Sequence, residues 1–301
     1  MRRIPHRAVA AALAGVALAA AGCGTSKTAP PSQPAAGVRV VVTADWGATP
    51  IARGSGPAGD VLAATGAVAA TATSYGGRYV DAIDGKAGDG SRDWIFWVDG
   101  VESPVGAAEA RVQAGDAVWW DLHRWRGRVH VPAVVGQWPL PLTRGPDGVR
   151  RGLTADPPLA AALRAGGADV GQPAMTIGPR AVVGSAAELA AREPLWRRAV
   201  ADTAASGLTA WIDRAGAVRV WDAEAGRARA VPTAVAVIVA TTDGFGGGDP
   251  PVVFVAGTSH AAAVAAAQLL AQHPETVRDA TAVCLDRSGA TVCHGGNGAV
   301  Q

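Results

Sequence analysis

The sequence is short of the signatures that mark hydrolases, nucleotide binders and nucleic-acid binders. No Gly-x-Ser-x-Gly run is present, which removes the nucleophile turn of an α/β-hydrolase. No Gly-x-x-x-x-Gly-Lys-Ser/Thr run is present either, so there is no phosphate-cradling loop of that type. The acidic, Gly-rich stretch Asp243 to Asp249 lacks the spaced carboxylates of an EF-hand and reads as a connector between strands. Charge of one sign is missing too: 27 Lys plus Arg against 25 Asp plus Glu leave a formal net charge of +2, and no basic field draws a nucleic acid. There is no periodic repeat and no series of long amphipathic helices. The Ala/Leu/Val run from Ala8 to Ala21 is too short to span a bilayer stably.

That run follows Arg2, Arg3 and Arg7 and ends at Ala20-Ala21-Gly22-Cys23, the layout of a secretory leader closed by a bacterial lipobox. The expectation is a lipoprotein signal peptide over 1–22, with Cys23 carrying acyl chains. At about 0.8 kcal/mol per buried methylene, two or three such chains hold a protein on a membrane. The Pro, Ser and Thr residues of 23–37 bury too little apolar surface to fold and predict a tether. Setting Cys23 aside leaves Cys284 and Cys293 around Asp286-Arg287-Ser288-Gly289, a turn signal. In an oxidising compartment this predicts a disulfide across a hairpin, with a metal site shared with His294, or free thiols, as the competing readings.

The central aromatic block is the most informative stretch. Trp94-Ile95-Phe96-Trp97-Val98 runs into Asp99-Gly100, and Ala114-Gly115-Asp116 precedes Ala117-Val118-Trp119-Trp120. Apolar runs broken by Asp-Gly and Gly-Asp predict strands and tight turns, because Gly accepts the positive φ of a hairpin. Gly59-Asp60-Val61-Leu62 opens a helical segment, and Tyr75 to Gly85 reads as another strand and turn. Period-two alternation puts Trp94 and Phe96 on one face with Trp97 on the other, and sends Trp119 and Trp120 opposite ways. A one-helix sheet has a single core face, so some of these rings line the outer face, as a binding surface or beneath the rest of the chain.

In this order, the pieces from Val38 to Val131 resemble the transcobalamin-like C-terminal domain. That small domain lies beside cobalamin in animal vitamin B12 carriers and recurs in bacterial surface lipoproteins. The resemblance implies a small antiparallel sheet with one helix, and it puts a corrinoid first among ligands. The helical toroid that supplies most vitamin contacts in the animal carriers has no counterpart here.

A Pro/Gly-rich connector is expected over 132–156, and an accessory α/β or α+β domain over 157–301. The predicted elements there are a helix from Leu159, a strand at Arg180 to Gly184, and a helix capped by Ser185 that Pro194 ends or kinks. A hairpin spans Leu208 to Trp221, two buried strands follow at Val235 to Ala240 and Val252 to Ala256, and a helix starts at Ser259. Ser259-His260 forms a possible anion site at that helix start, though capping is the simpler role. A triad of Ser259, His260 and Asp243 is disfavoured, because adjacent residues on a helix start point different ways. His123, His130 and Asp121 read as surface polar residues, and Arg124 to Arg128 as a solvated hairpin end.

The fold class expected is therefore α+β, a transcobalamin-like domain followed by a second α/β or α+β domain. The function expected is a non-enzymatic binding lipoprotein on the extracytoplasmic side, anchored to membrane lipid through Cys23. It would use Tyr75, Tyr79, Trp97 and Trp119 to capture a small ligand such as a corrinoid for a membrane transporter. The alternative is a surface scaffold that docks a protein or a glycan. No cofactor, metal or nucleic acid is expected.

Overall fold

The computed structural model describes residues 37–128, 130–144, 152–171 and 178–296. The segments expected as leader and tether, with Cys23, lie outside the described residues except for Gly37. Val38–Ala44 (β1) alternates buried Val38, Val40 and Val42 with Arg39 and Val41. It pairs antiparallel with Thr49–Gly56 (β2). Gly59–Asp60 (β3) leads into the helix Val61–Gly66 (α1), whose cap Asp60 accepts the Ala63 N–H at 2.7 Å. Thr71–Ser74 (β4), Tyr79–Ile83 (β5) and Lys86–Ala87 (β6) form a small antiparallel sheet. Arg92–Val98 (β7), Val101–Glu102 (β8), Arg111–Val112 (β9) and Ala117–Arg124 (β10) carry the aromatic block.

The main sheet of this half has the order β2-β1-β10-β7-β8. The turns fall where Asp-Gly predicts them: Asp84-Gly85 and Asp99-Gly100 all have positive φ, at 48°, 72°, 51° and 83°. One pairing departs from the antiparallel expectation, since β1 runs parallel to β10. The crossover between them carries α1 and the small sheet, and such a connection is what a parallel pair needs.

The second half starts with a short helix at Leu140–Thr143 (α2). Thr154–Ala155 (β11) leads to the helix Pro157–Ala165 (α3). Arg180–Ser185 (β12) is followed by Ala186–Arg192 (α4) and Pro194–Ala201 (α5). Ser185 and Glu188 make a reciprocal capping box, and Pro194 ends one helix and begins the next, as its fixed φ and missing N–H require. Ala210–Ile212 (β13), Val218–Asp222 (β14) and Arg227–Ala230 (β15) form an antiparallel sheet. Ala236–Thr242 (β16), Pro251–Gly257 (β17), the helix His260–Gln272 (α6), Ala282–Leu285 (β18) and Thr291–His294 (β19) complete the chain.

The large sheet has the order β11-β12-β17-β16-β18-β19. Every residue of β16 and β17 is buried, because α3 and α6 cover one face while α4, α5 and the β13–β15 sheet cover the other. Cys284 and Cys293 sit opposite each other on β18 and β19 and are disulfide-bonded, which leaves neither sulfur for a metal with His294. No group of three or more His, Cys, Asp or Glu among the described residues is placed to hold a metal. None of the helices described is long and apolar enough to cross a membrane.

Ala36–Gln301 forms one compact unit, so the two sheet systems pack directly on each other. The start of the connector packs along the edge strand β8, where Ala133 bridges antiparallel to Val101, and Val131, Ala133, Val134 and Val135 are all buried. Arg128, expected in solvent, is buried across the same seam. Its guanidinium lies 4.2 Å from the Trp221 ring centroid and donates to Leu208 O at 3.2 Å and Thr203 Oγ1 at 2.8 Å. Aromatic faces and carbonyls replace its water, and burial pulls its pKa down to about 10.

Candidate functional site

Strand register builds the site. Arg53 on β2, Val41 on β1, Trp119 on β10 and Trp97 on β7 are successive cross-strand partners, so their side chains form one row across one face of the sheet. The opposite face carries Trp94, Phe96 and Trp120 over α1, as the alternation predicts. At the Trp97 end the row is sealed. Trp97 is fully buried, its ring 5.0 Å from Trp119 and its Nε1 donating to Val131 O at 2.7 Å. Val131, Val134 and Ala223 cover the pair, so Trp97 and Trp119 expose almost nothing to bulk solvent and do not form the open aromatic face expected of them. Val131 and Val134 before the second half and Ala223 within it cover that face together, and about 1.5–3 kcal/mol per large apolar side chain favours keeping it covered.

Beneath these rings lies a polar hub that fixes them. Asp45, Trp46 and Gly47 take positive φ in succession, at 57°, 62° and 87°. Consecutive N–H groups in this conformation form an anion-binding nest. Its anion is the Asp121 carboxylate, which accepts from Trp46 N at 2.9 Å and Gly47 N at 2.8 Å. It also accepts from Thr43 Oγ1 at 2.5 Å and lies 2.9 Å from His123 Nδ1. Trp119 Nε1 donates to Thr43 Oγ1 at 2.7 Å, and Trp46 stacks on His123 with centroids 3.8 Å apart. Asp121 and His123 are therefore buried, not the surface polar residues that their composition suggested; backbone donors make burial of that charge tolerable. His130 is exposed beside Glu102.

At the Arg53 end the row opens into a cleft of about 360 Å³. It is lined by Arg39, Arg53 and the nearly buried Trp119 of the sheet, by Gln137 and Trp138 of the connector, and by Glu275 and Arg278 from the segment after α6. Gln137 is buried, and its Oε1 accepts from Gly100 N, leaving the amide NH₂ as the remaining hydrogen-bonding capacity of that side chain. That nitrogen has no partner. A buried amide donor without an acceptor costs on the order of 1–3 kcal/mol, which an incoming acceptor would recover. Arg53 is paired with Asp279 across the cleft.

Behind Gln137, Asp99 is buried in the β7–β8 turn, with Oδ1 accepting from Ala117 N at 2.8 Å and Oδ2 unpartnered. Burial pushes its carboxyl up to about 7.

The remaining expected sites lie elsewhere. Tyr75 and Tyr79 stand away from the cleft; Tyr75 is 84% exposed at φ 49°, and Tyr79 is 44% exposed. The Tyr79 hydroxyl donates to Asp93 at 2.5 Å, which raises its pKa to about 12. Ser259 caps α6 by accepting from Ala262 N at 3.2 Å. His260 Nδ1 lies 3.0 Å from Glu188, whose carboxyl is held down to about 2, mainly by the Ser185 N–H. Asp243 pairs with Arg180 at 2.8 Å instead, so the disfavoured triad does not assemble.

A second crevice, of about 540 Å³, opens where β12 and β17 send their helices to opposite faces, a common place for ligands in such sheets. Its Asp156 and Arg192 are paired at 2.8 Å, and its Glu188 is paired with His260. The Trp119 cleft differs in keeping a buried donor unused. Sequence reasoning placed Trp119 on this face of the sheet and did not single out Arg39, Arg53, Gln137 or Arg278. The alternation of Arg39 with Val40 was readable, whereas nothing local marked Gln137 or Arg278.

No curated protein and no solved structure matches the chain. A family model described as a domain of unknown function, DUF4430, matches residues 58–124, the stretch from β3 to β10 that contains Tyr75, Tyr79, Trp97 and Trp119.

Proposed function

We propose that the protein is an extracytoplasmic binding lipoprotein, acylated at Cys23 and transcobalamin-like over Val38 to Val131, that captures a small ligand for a membrane uptake system without catalysing a reaction. The observation that carries this reading is the unpartnered Gln137 NH₂ in a cleft lined by Trp119. A preformed concave site with aromatic walls and a few placed polar groups is what small-molecule capture needs. The cleft lies at the low end of the roughly 300–1,000 Å³ typical of ligand sites, so a whole corrinoid would seat only a substituent there. Calorimetric titration of the full-length chain in mild detergent with cobalamin, cobinamide and small aromatic compounds tests the reading. Saturable binding weakened by Trp138→Ala and by Gln137→Glu supports capture in this cleft; binding unaffected by either removes it.

The alternative of a docking module has its own support. Tyr75, Tyr79 and Val105 are the large hydrophobic side chains most open to solvent among the described residues. The Gly77 carbonyl accepts the Ala108 N–H at 3.3 Å, which brings the Tyr75 and Val105 loops together. A protein or glycan partner would contact that edge, and Tyr75→Ala would weaken docking while leaving small-ligand binding unchanged.

A further inference from the structure

The polar groups that line the Trp119 cleft and remain free to bind are donors. Gln137 offers its NH₂, and Arg39 and Arg278 are exposed with no carboxylate within ion-pair distance among the described residues. Of the acidic side chains that line it, Asp279 is paired with Arg53, while the exposed Glu275 lies 3.2 Å from His273 Nδ1 and feels the Arg278 charge. A site with two unpaired guanidinium groups and a buried amide donor recognises a pair of anionic oxygens, for which a guanidinium fork is geometrically suited. Half-buried Trp138 and exposed Pro274 supply the apolar surface for whatever bears those oxygens, with Trp119 packed beneath them.

Resting on the capture reading above, we propose that the cleft selects a small aromatic or apolar molecule ending in a carboxylate or a phosphate. The anionic group sits between Arg39, Arg278 and the Gln137 NH₂, and the apolar body lies against Trp138. A neutral molecule of the same shape meets the same apolar surface and forfeits the charge-assisted hydrogen bonds, which are roughly twice as strong as neutral ones.

Calorimetric titration of the full-length chain in mild detergent with benzoate, phenyl phosphate and benzamide tests this. Benzoate and benzamide match in size and differ in charge. At least one anion should bind saturably, ten-fold or more tighter than benzamide, and weaken as salt is added. Arg39→Ala and Arg278→Ala, both at exposed positions, should each weaken it about five- to ten-fold. Gln137→Glu keeps the acceptor for Gly100 N and replaces the donor, and should weaken it at least as much. The better of the two anions identifies the headgroup. Benzamide binding as tightly as benzoate, or anion binding indifferent to both arginine variants, overturns the anion selectivity. If benzamide or cobinamide binds and is weakened by Trp138→Ala while both anions stay silent, the anion class fails and the capture reading stands. If no probe binds, the anion class fails and the capture reading loses its cleft.

Discussion

At the scale of single residues, buried polar groups decide the architecture around the cleft. The Asp121 carboxylate is held by two nest N–H groups, a hydroxyl and an imidazole, and through Thr43 it orients Trp119. Asp121→Ala should cost about 3–5 kcal/mol in urea unfolding, because several buried donors lose their acceptor together. His123→Gln should cost less, since the other three donors remain. Asp99 behaves differently. Its folded pKa of about 7 lies above its usual value of 3.8, so the folded state keeps a proton that the unfolded chain releases first. Its contribution to stability is therefore complete below about pH 4 and is lost as pH rises toward 7, by up to roughly 1.4 kcal/mol per unit. Asp99→Asn should flatten that slope, and a pH series of urea midpoints for the two proteins checks it.

Among the elements, hairpins with local signals were legible and those made by tertiary contact were not. Asp84-Gly85, Asp99-Gly100 and the turn at Asp286 to Gly289 announce their strands, and Ser185, Pro194 and Ser259 announce helix boundaries. The parallel β1–β10 pair carries no such mark, because register between distant strands is set by the shared faces and not by either segment. The Arg128 and Pro132 regions look polar or turn-like in sequence; Arg128 is buried against Trp221, and Pro132 and Ala133 pack along the β8 edge. The face that Trp119 takes was readable through alternation, whereas Gln137 acquires its position only from the acceptor it gives Gly100 N. The β18–β19 hairpin makes a separate prediction. Replacing Cys284 and Cys293 by Ser should lower unfolding free energy by about 2–3 kcal/mol in the chain-entropy model, measured by urea titration under non-reducing conditions.

For the molecule as a whole, the aromatic row joins the two halves. Trp97 and Trp119 are covered by Val131, Val134 and, from the second half, Ala223; Arg53 pairs with Asp279, and Arg128 stacks on Trp221. Gly296 lies so close beneath Trp46 that an added Cβ would fall 2.1 Å from the indole, and its φ is +88°. Gly296→Ala should therefore lower the thermal midpoint of the whole unit, not of one half. A fragment holding residues 37–131 should expose the Trp97 face and bind a hydrophobic dye that the intact protein does not. The central claim is that ligand enters between Trp119 and Gln137, and the Gln137 side-chain amide reports it most directly. In ¹H–¹⁵N spectra of the full-length chain titrated with benzoate and cobinamide in turn, the account predicts a saturable shift of the Gln137 NH₂ pair with at least one of them. A Gln137 signal that stays fixed while signals around Tyr75 and Tyr79 move would contradict it and assign recognition to the tyrosine edge.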